Sequence, residues 1–232
     1  MLKKIVKWID NYWYHNKWQT ILVVFFTVFA AIAVGQMISK VNDDVIILYG
    51  GPYQFSANET REIQNALQSV MSADFNGDGE KHVQLISILL MSQEQIETAK
   101  KNAAASGNVV ILNSATLIQN RSQFSTQIFA GETVICLLDP NWYTDVYENG
   151  GFIKLSEALG YTPENAIDEY SIYLHDTGIA GYFTALQSFP EDTILCVRRM
   201  STVTAFKSEK KEAIRYENQL QMFRDMMSFR LD

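Results

Sequence analysis

The chain has 232 residues, of which 47% are hydrophobic and 19% charged, and its formal net charge is −7. This length allows one medium-sized domain, or one domain together with a membrane anchor and a tail. Residues 40–196 contain 20 acidic and 7 basic residues, a balance that excludes nucleic acid as a partner because phosphates require a basic surface.

The first predicted element is an apolar helix that follows a basic segment. No charged residue occurs between Lys17 and Lys40, and residues 21–37 read ILVVFFTVFAAIAVGQM, which is typical of a transmembrane helix. Four lysines precede this run and two aspartates follow it closely, so the positive-inside rule predicts a cytoplasmic N-terminus. The small residues Ala31-Ile32-Ala33 leave a cleaved signal peptide open as the alternative.

These features predict a single-pass protein of the cell membrane whose C-terminal domain is extracellular. We divide the chain into a cytoplasmic N-terminus (1–18), a transmembrane helix (19–39), an extracytoplasmic α/β domain (43–206) and a C-terminal amphipathic helix (207–232).

After the apolar run, strand-like and helix-like patterns alternate. Apolar runs predict strands at 44–50, 82–90, 109–113, 133–139, 171–176 and 193–198. Capping boxes at Ser56 and Ser92 begin two helices, of which Gly107 ends the second. A short helix at 141–151 and another at 179–189 complete the pattern. This alternation predicts an α/β fold with a mainly parallel sheet and helices on both faces.

The loop ADFNGDGEKHV, residues 73–83, repeats the opening of an EF-hand calcium loop. Its oxygen ligands would come from Asp74, Asn76, Asp78 and the backbone of Glu80. Leu85 occupies the position that requires a bidentate glutamate, and a strand rather than a helix follows. Two interpretations are open: a weak structural calcium site, or a turn in which Asx side chains accept backbone amides.

Aromatic and polar residues follow three of the predicted strands. Ligands of open parallel sheets bind beyond the carboxyl ends of the strands, and aromatic faces with amides and hydroxyls suit a small polar solute or peptide. The alternative is that the aromatic residues at 142–143 close the core. The candidate ligand-binding residues are Tyr49, Gly50, Tyr53, Asn113, Ser114, Thr116, Asp139, Trp142 and Tyr143.

The two cysteines, Cys136 and Cys196, each lie within an apolar, β-branched run. A disulfide is compatible with an extracellular location. Two buried free thiols on core strands are the favoured alternative, since buried cysteine behaves as a small hydrophobe.

The last predicted helix spans about 208–229 and carries an apolar stripe formed by Tyr216, Leu220, Phe223 and Met227. The stripe fits packing on the domain's own core. It also fits a protein partner or self-association of this chain through residues 208–229.

The sequence contains none of the motifs GxGxxG after the first strand, GxxxxGK[ST], GxSxG, HExxH and CxxC. His175 beside Asp176 is the one histidine–carboxylate pair near a strand end. We therefore predict that the protein is not an enzyme, and its one candidate cofactor is the structural calcium ion.

Two stretches, VVILN at 109–113 and CLLDPNWYTDVYENGGFIKLSEALG at 136–160, resemble the extracellular solute-binding proteins of ABC importers. The resemblance implies a periplasmic-binding-protein-like lobe in a membrane-anchored relative from Gram-positive bacteria. Such proteins have two lobes, whereas the exported part of this chain has room for one.

Two functional hypotheses follow. The first is a membrane-anchored extracytoplasmic module that binds a small polar solute or peptide. The alternative is a non-catalytic interaction or assembly subunit of a membrane complex, which recruits its partner through the C-terminal helix or the membrane span.

Overall fold

The computed structural model describes residues 2–38, 42–106, 113–130, 133–200 and 209–229. The chain divides into two compact units, Met1–Asn42 and Asp43–Asp232. The strand predicted at 109–113 lies outside the described residues except for its last position, and Gly107 lies outside them as well.

The first unit is built on one helix, α1 (Leu2–Ile38). Within the part of the chain that the structure describes, no helix combines the length and the hydropathy needed to cross a bilayer. The transmembrane helix expected at 19–39 is therefore not confirmed.

The second unit is an α/β domain. Its elements in chain order are β1 (Val45–Gly51), α2 (Ala57–Val70), β2 (Val83–Leu89), α3 (Gln93–Ala105), α4 (Ser114–Ala130), β3 (Ile135–Leu138), α5 (Pro140–Glu148), α6 (Leu155–Leu159), β4 (Ser171–Tyr173), α7 (Gly178–Tyr182), β5 (Ile194–Val197) and α8 (Glu209–Ser228).

The described strands form one sheet in the order β2-β1-β3-β5-β4. The strands β2, β1 and β3 pair in parallel, whereas β5 is antiparallel to both of its neighbours, β3 and β4. The α/β class is confirmed, but the sheet is mixed, and the mainly parallel arrangement expected from the sequence is not confirmed.

Helices cover both faces of this sheet, and two hydrophobic clusters lie beneath them. One cluster packs Val45, Ile47 and Tyr49 of β1 against α2, α6, α7 and α8. The other packs Leu48 of β1 and Cys136 of β3 against α4 and α5. Because successive residues of a strand point to opposite faces, the continuous apolar run of β1 is buried on both sides.

The two predicted capping boxes begin helices α2 and α3. The Ser56 hydroxyl accepts the Glu59 amide at 3.3 Å, and the Glu59 carboxylate accepts the Ser56 amide at 2.7 Å. Ser92 and Gln95 exchange the equivalent hydrogen bonds. These reciprocal bonds satisfy amide groups that the first turn of a helix leaves without partners.

Helix α8 packs its apolar stripe onto the domain's own core. Leu220, Met222, Phe223 and Met226 are buried in the same cluster as β1 and α2. Recruitment of a partner through residues 208–229 stays a prediction, and it would have to use the exposed side of the helix, where Ile214 is 54% exposed.

Candidate functional site

Three of the nine candidate ligand-binding residues are buried in structural roles. The Tyr49 ring lies in the core, 5.0 Å from the Phe55 ring, and burial raises the pKa of its hydroxyl. Tyr143 stacks on Phe152 at 5.1 Å. Asp139 caps helix α5, because its Oδ1 accepts the Asn141 amide at 2.9 Å. Packing and helix capping therefore account for these three residues without a ligand.

Hydrogen bonds hold the buried polar atoms at the carboxyl ends of the strands in place. The Tyr143 hydroxyl donates to Asp168 Oδ2 at 2.6 Å, and burial together with this bond raises the pKa of Tyr143. Asp139 Oδ2 accepts a hydrogen bond from Gln95 Nε2 at 2.7 Å. At the carboxyl ends of the strands, the polar groups of Asp139 and Tyr143 are therefore already hydrogen-bonded within the domain.

The other strand-end candidates are more accessible, with the exception of Gly50. Tyr53 is 38% exposed and donates its hydroxyl hydrogen to Glu59 at 2.8 Å. Asn113, Ser114 and Thr116 are exposed where α4 begins. The Gly50 backbone is buried, and its carbonyl accepts the Asp139 amide at 2.9 Å.

Trp142 is half-buried between helices α4 and α5. Its ring lies 5.8 Å from the Phe124 ring, and the Arg121 guanidinium lies 5.3 Å from the indole centroid. The indole Nε1 is buried and has no hydrogen-bond partner among the described residues. Trp142 thus closes part of the core and also contacts a cation.

In the candidate calcium loop, side-chain oxygens accept hydrogen bonds from the loop's own backbone. Asp74 accepts the amides of Gly77 and Gly79, both at 2.7 Å, and these bonds lower the pKa of Asp74. Asn76 and Asp78 accept the amides two residues further on. This is the Asx-turn arrangement, the second of the two interpretations.

The Glu80 side chain pairs with His82 at 3.0 Å. Within the described ranges, no group of three or more His, Cys, Asp or Glu side chains is arranged to hold a metal ion. Calcium binding by Asp74, Asn76, Asp78 and Glu80 stays a prediction that calorimetric titration with calcium would test.

Asp44, which is not among the residues predicted from the sequence, organises this loop. It is 6% exposed, and its Oδ1 accepts the amides of Phe75 and Asn76, each at 2.8 Å. Its Oδ2 accepts the amide of His82, also at 2.8 Å. The available signal was an aspartate directly before a fully buried strand, a position where a carboxylate requires hydrogen-bond donors.

A cavity lies at the opposite end of the strands from the predicted site. It is a groove of about 330 Å³ between the C-terminal parts of α4 and α5. Arg198 follows β5 and donates its amide to Val134, directly before β3, which places the groove at the amino end of β3. We call it the α4–α5 groove.

Apolar side chains and two arginines line the α4–α5 groove. Phe124, Ile128 and Val146 are buried in its walls, and Arg198 and Arg199 also line it. Further lining residues are Ser125, Phe129, Asp145, Asn149, Gly150, Gly151 and Met200.

Arg198 is the charged group most deeply buried at the groove, with 4% of its surface exposed. Its Nε donates to the Thr133 carbonyl at 2.7 Å and its Nη1 to the Ile128 carbonyl at 3.0 Å. Burial lowers its pKa below the ordinary arginine value, and the side chain keeps its charge because that value is so high. It therefore places positive potential at an apolar groove.

The Gly150-Gly151 pair shapes one wall of the groove. Gly150 has φ +66°, a backbone conformation that favours glycine. A Cβ on Gly151 would lie 2.5 Å from Val146 Cγ1, so a larger residue would displace the wall. The sequence pattern places these glycines at the end of the helix predicted over 141–151 and gives no sign of a cavity beside them.

Cys136 and Cys196 are free, fully buried and directly opposite each other in the β3–β5 pair. Burial raises the pKa of Cys136 to about 12 and that of Cys196 well above its ordinary value. The favoured expectation of two buried thiols is confirmed.

His175 bonds the Phe189 carbonyl at 3.0 Å through Nε2, a contact that holds the ring in a structural position.

Comparisons of the chain with protein-family models, curated proteins and solved structures find no match. The resemblance to solute-binding proteins therefore stays an expectation from the two sequence stretches.

Proposed function

We propose that the protein is a membrane-tethered, non-catalytic binding module whose extracytoplasmic α/β domain takes a small ligand in the α4–α5 groove. The single observation that carries the proposal is the groove itself, which is lined by apolar residues and two arginines. Small-molecule sites typically combine apolar walls with a few placed polar groups. The strand-end candidates support binding less well, because Tyr49, Asp139 and Tyr143 are buried in packing and capping contacts.

The groove suits a solute or short peptide that has one apolar group and one carboxylate. Phe124, Ile128 and Val146 offer apolar contact, while the positive potential of Arg198 and Arg199 favours a negative group. Asp145 and Asn149 at the same groove add one carboxylate and one amide, which suit the amino or amide groups of a peptide.

Helix α1 supports the tether. The consecutive residues from Ile21 to Phe26 are all apolar, and each is at least 46% exposed. Six consecutive helical residues turn through more than one full turn, so apolar side chains face every direction around the axis. A protein groove would bury only one side of such a helix, whereas lipid surrounds a helix on all sides. The exposed apolar residues of α1 therefore fit a lipid environment better than a protein groove.

A ligand screen with a blocked groove tests the binding proposal. Melting temperatures are measured with amino acids, short peptides, sugars and short-chain carboxylates. Ser125→Phe places a ring in the groove from the exposed side of α4, and Ser122→Phe makes the same change on α4 outside the lining. We expect a ligand that raises the melting temperature of the wild type and the Ser122 variant but not of the Ser125 variant.

A strand-end variant separates the two candidate sites. Thr116→Trp fills space at the exposed start of α4, away from the groove. A ligand whose effect is lost in this variant and kept in Ser125→Phe would place binding at the strand ends. Unchanged melting temperatures throughout the screen would overturn the binding proposal.

The tether has its own test. Membranes that contain the full chain are washed at alkaline pH and treated with protease from the outer side. We expect the protein to stay with the membrane and the α/β domain to be degraded. Release by the wash, or protection of the domain, would contradict the tether or its orientation.

A further inference from the structure

We infer that a second groove, on the other face of the sheet from the α4–α5 groove, binds a small organic cation that carries an ammonium group. Helix α2 forms one wall of this groove. The other wall is the chain from Tyr182, at the end of α7, to Ala185 in the short 3-10 turn that follows. We call it the α2–α7 groove, and its volume is about 430 Å³. The described residues that line it are Glu62, Asn65, Ala66, Ser69, Tyr182, Phe183, Thr184 and Ala185.

Glu62 gives the α2–α7 groove a negative charge. It is exposed, and it is the one charged side chain among the described residues of the lining. Arg61, its neighbour in the chain, donates to Asn58 at 2.8 Å, so its guanidinium is engaged elsewhere. Residues 40–196 contain 20 acidic and 7 basic residues, and this excess adds a long-range attraction for cations.

The α2 wall of the groove is rich in hydrogen-bond acceptors. Glu62, Asn65 and Ser69 are three and four residues apart, which places them on the same side of the helix. The Ser69 hydroxyl donates its hydrogen to the Ala66 carbonyl at 2.6 Å, so towards a ligand its oxygen can accept. Carboxylate, amide and hydroxyl oxygens on one wall suit a ligand that donates hydrogen bonds or carries a positive charge.

The opposite wall supplies an aromatic face. Tyr182 is 53% exposed, and its ring packs against Phe183 and Phe229, with ring centroids 4.7 and 5.4 Å away. These contacts fix the ring while about half of the residue stays accessible. The face of an aromatic ring carries negative partial charge and attracts an ammonium group.

The two walls together favour a cation over other ligand classes. An anion would be repelled by Glu62 and by the face of the Tyr182 ring, and no basic residue is found among the described residues of the lining to offset this. A neutral solute would gain apolar contact but no charge attraction. An ammonium group with apolar substituents gains both, because its substituents contact the ring while its charge lies near the carboxylate.

The test compares choline with its carbon analogue, in which a tert-butyl group replaces the trimethylammonium group. The full chain is kept in a non-ionic detergent, and sodium chloride equalises the ionic strength. Dissociation constants come from the rise of the melting temperature with ligand concentration. We expect choline to bind about tenfold more tightly than the analogue, because an aromatic face and a carboxylate each contribute roughly two- to fivefold at exposed sites.

Matched variants locate the effect. Tyr182→Leu removes the aromatic face, and Glu62→Gln removes the charge. The controls are Tyr161→Leu, at a tyrosine that is also 53% exposed but outside the lining, and Glu97→Gln on the exposed side of α3. We expect each groove variant to reduce the preference for choline roughly two- to fivefold and the controls to keep it.

Equal affinities of the wild type for choline and its carbon analogue would overturn the inference, as would a melting temperature that choline leaves unchanged. A preference that both the Tyr182 and the Glu62 variants keep would overturn it as well. The two grooves share no described lining residue, so Ser125→Phe, which fills the α4–α5 groove, should leave choline binding unchanged. Loss of binding in that variant would place the cation in the α4–α5 groove and overturn the inference.

Discussion

At the scale of single residues, Asp44 is the side chain on which the loop at 73–83 most depends. Its carboxylate accepts three backbone amides while 6% exposed. Asp44→Ala would leave these amides without their acceptor, and we expect a loss of about 2–4 kcal/mol in the free energy of unfolding. Urea denaturation followed by circular dichroism measures this loss.

The control for this prediction is Asp78→Ala in the same loop. Asp78 is exposed and accepts the Glu80 amide at 3.1 Å. We expect a change of about 0.5 kcal/mol or less, as for most exposed sites. A loss in Asp44→Ala as small as that of the control would contradict the dependence of the loop on Asp44.

Asp74 gives the loop a defined dependence on pH. The amides of Gly79 and Gly77 hold its pKa below the ordinary value of 3.8. Its contribution is therefore fully present above the unfolded pKa and is lost as the pH falls through the lower folded value. We expect the melting-temperature difference between the wild type and Asp74→Asn to be constant near neutral pH and to narrow below about pH 4.

Thermal unfolding of both proteins across this range measures the difference. Asp78→Asn, in which the changed carboxylate accepts one amide two residues away, is the control. A difference that widens as the pH falls would contradict a lowered pKa for Asp74.

At the scale of elements, helix α8 belongs to the core of the domain. Phe223 is fully buried and packs in the cluster that also contains Ile47 and Leu67. Phe223→Ala would leave a cavity between the helix and the sheet, and we expect a loss of about 3–5 kcal/mol. Ile214→Ala, on the exposed side, should cost about 0.5 kcal/mol or less. Chemical denaturation of both variants tests whether α8 belongs to the core. Equal stabilities of the two variants would contradict this.

Local chemistry made the helix starts predictable. The Ser56–Glu59 and Ser92–Gln95 pairs specify their capping boxes by residue type and spacing alone, and the structure forms both. The apolar run of β1 likewise predicted a buried strand, because continuous apolar sequence has no favourable exposed side. Strand β2 was also predicted, but it alternates between buried and more exposed residues.

The direction of β5 was not predictable in the same way. An apolar run indicates a strand but not its orientation. The sequence predicts one helix over 179–189, yet helix α7 ends at Tyr182 and a short 3-10 turn follows at Thr184–Ser188. The segment returns to the same end of the sheet, so β5 pairs antiparallel with β4. Such a break depends on tertiary packing more than on local propensity.

At the scale of the whole molecule, the same limit explains why the proposed groove lies away from the strand ends that the sequence predicts as the ligand site. The rule that ligands bind at carboxyl strand ends assumes a parallel sheet. Here β5 runs the other way and delivers Arg198 to the amino end of β3, beside the C-terminal parts of α4 and α5. The sequence predicts β5 as a strand, but only the direction of that strand decides at which end of the sheet Arg198 is buried.

The division of the chain into two compact units predicts that the α/β domain folds without α1. A fragment beginning at Asn42 retains both hydrophobic clusters, none of whose residues comes from α1. We expect it to stay in solution and to unfold within about 2 °C of the full chain, because a change in stability well below 1 kcal/mol shifts the midpoint little. Calorimetry of the two proteins in the same detergent buffer makes the comparison.

A fragment that also lacks 209–232 is the matched control, which should fail to unfold cooperatively because Met222, Phe223 and Met226 leave the core. A cooperative transition in that control, or its absence in the longer fragment, would contradict the division proposed for this protein.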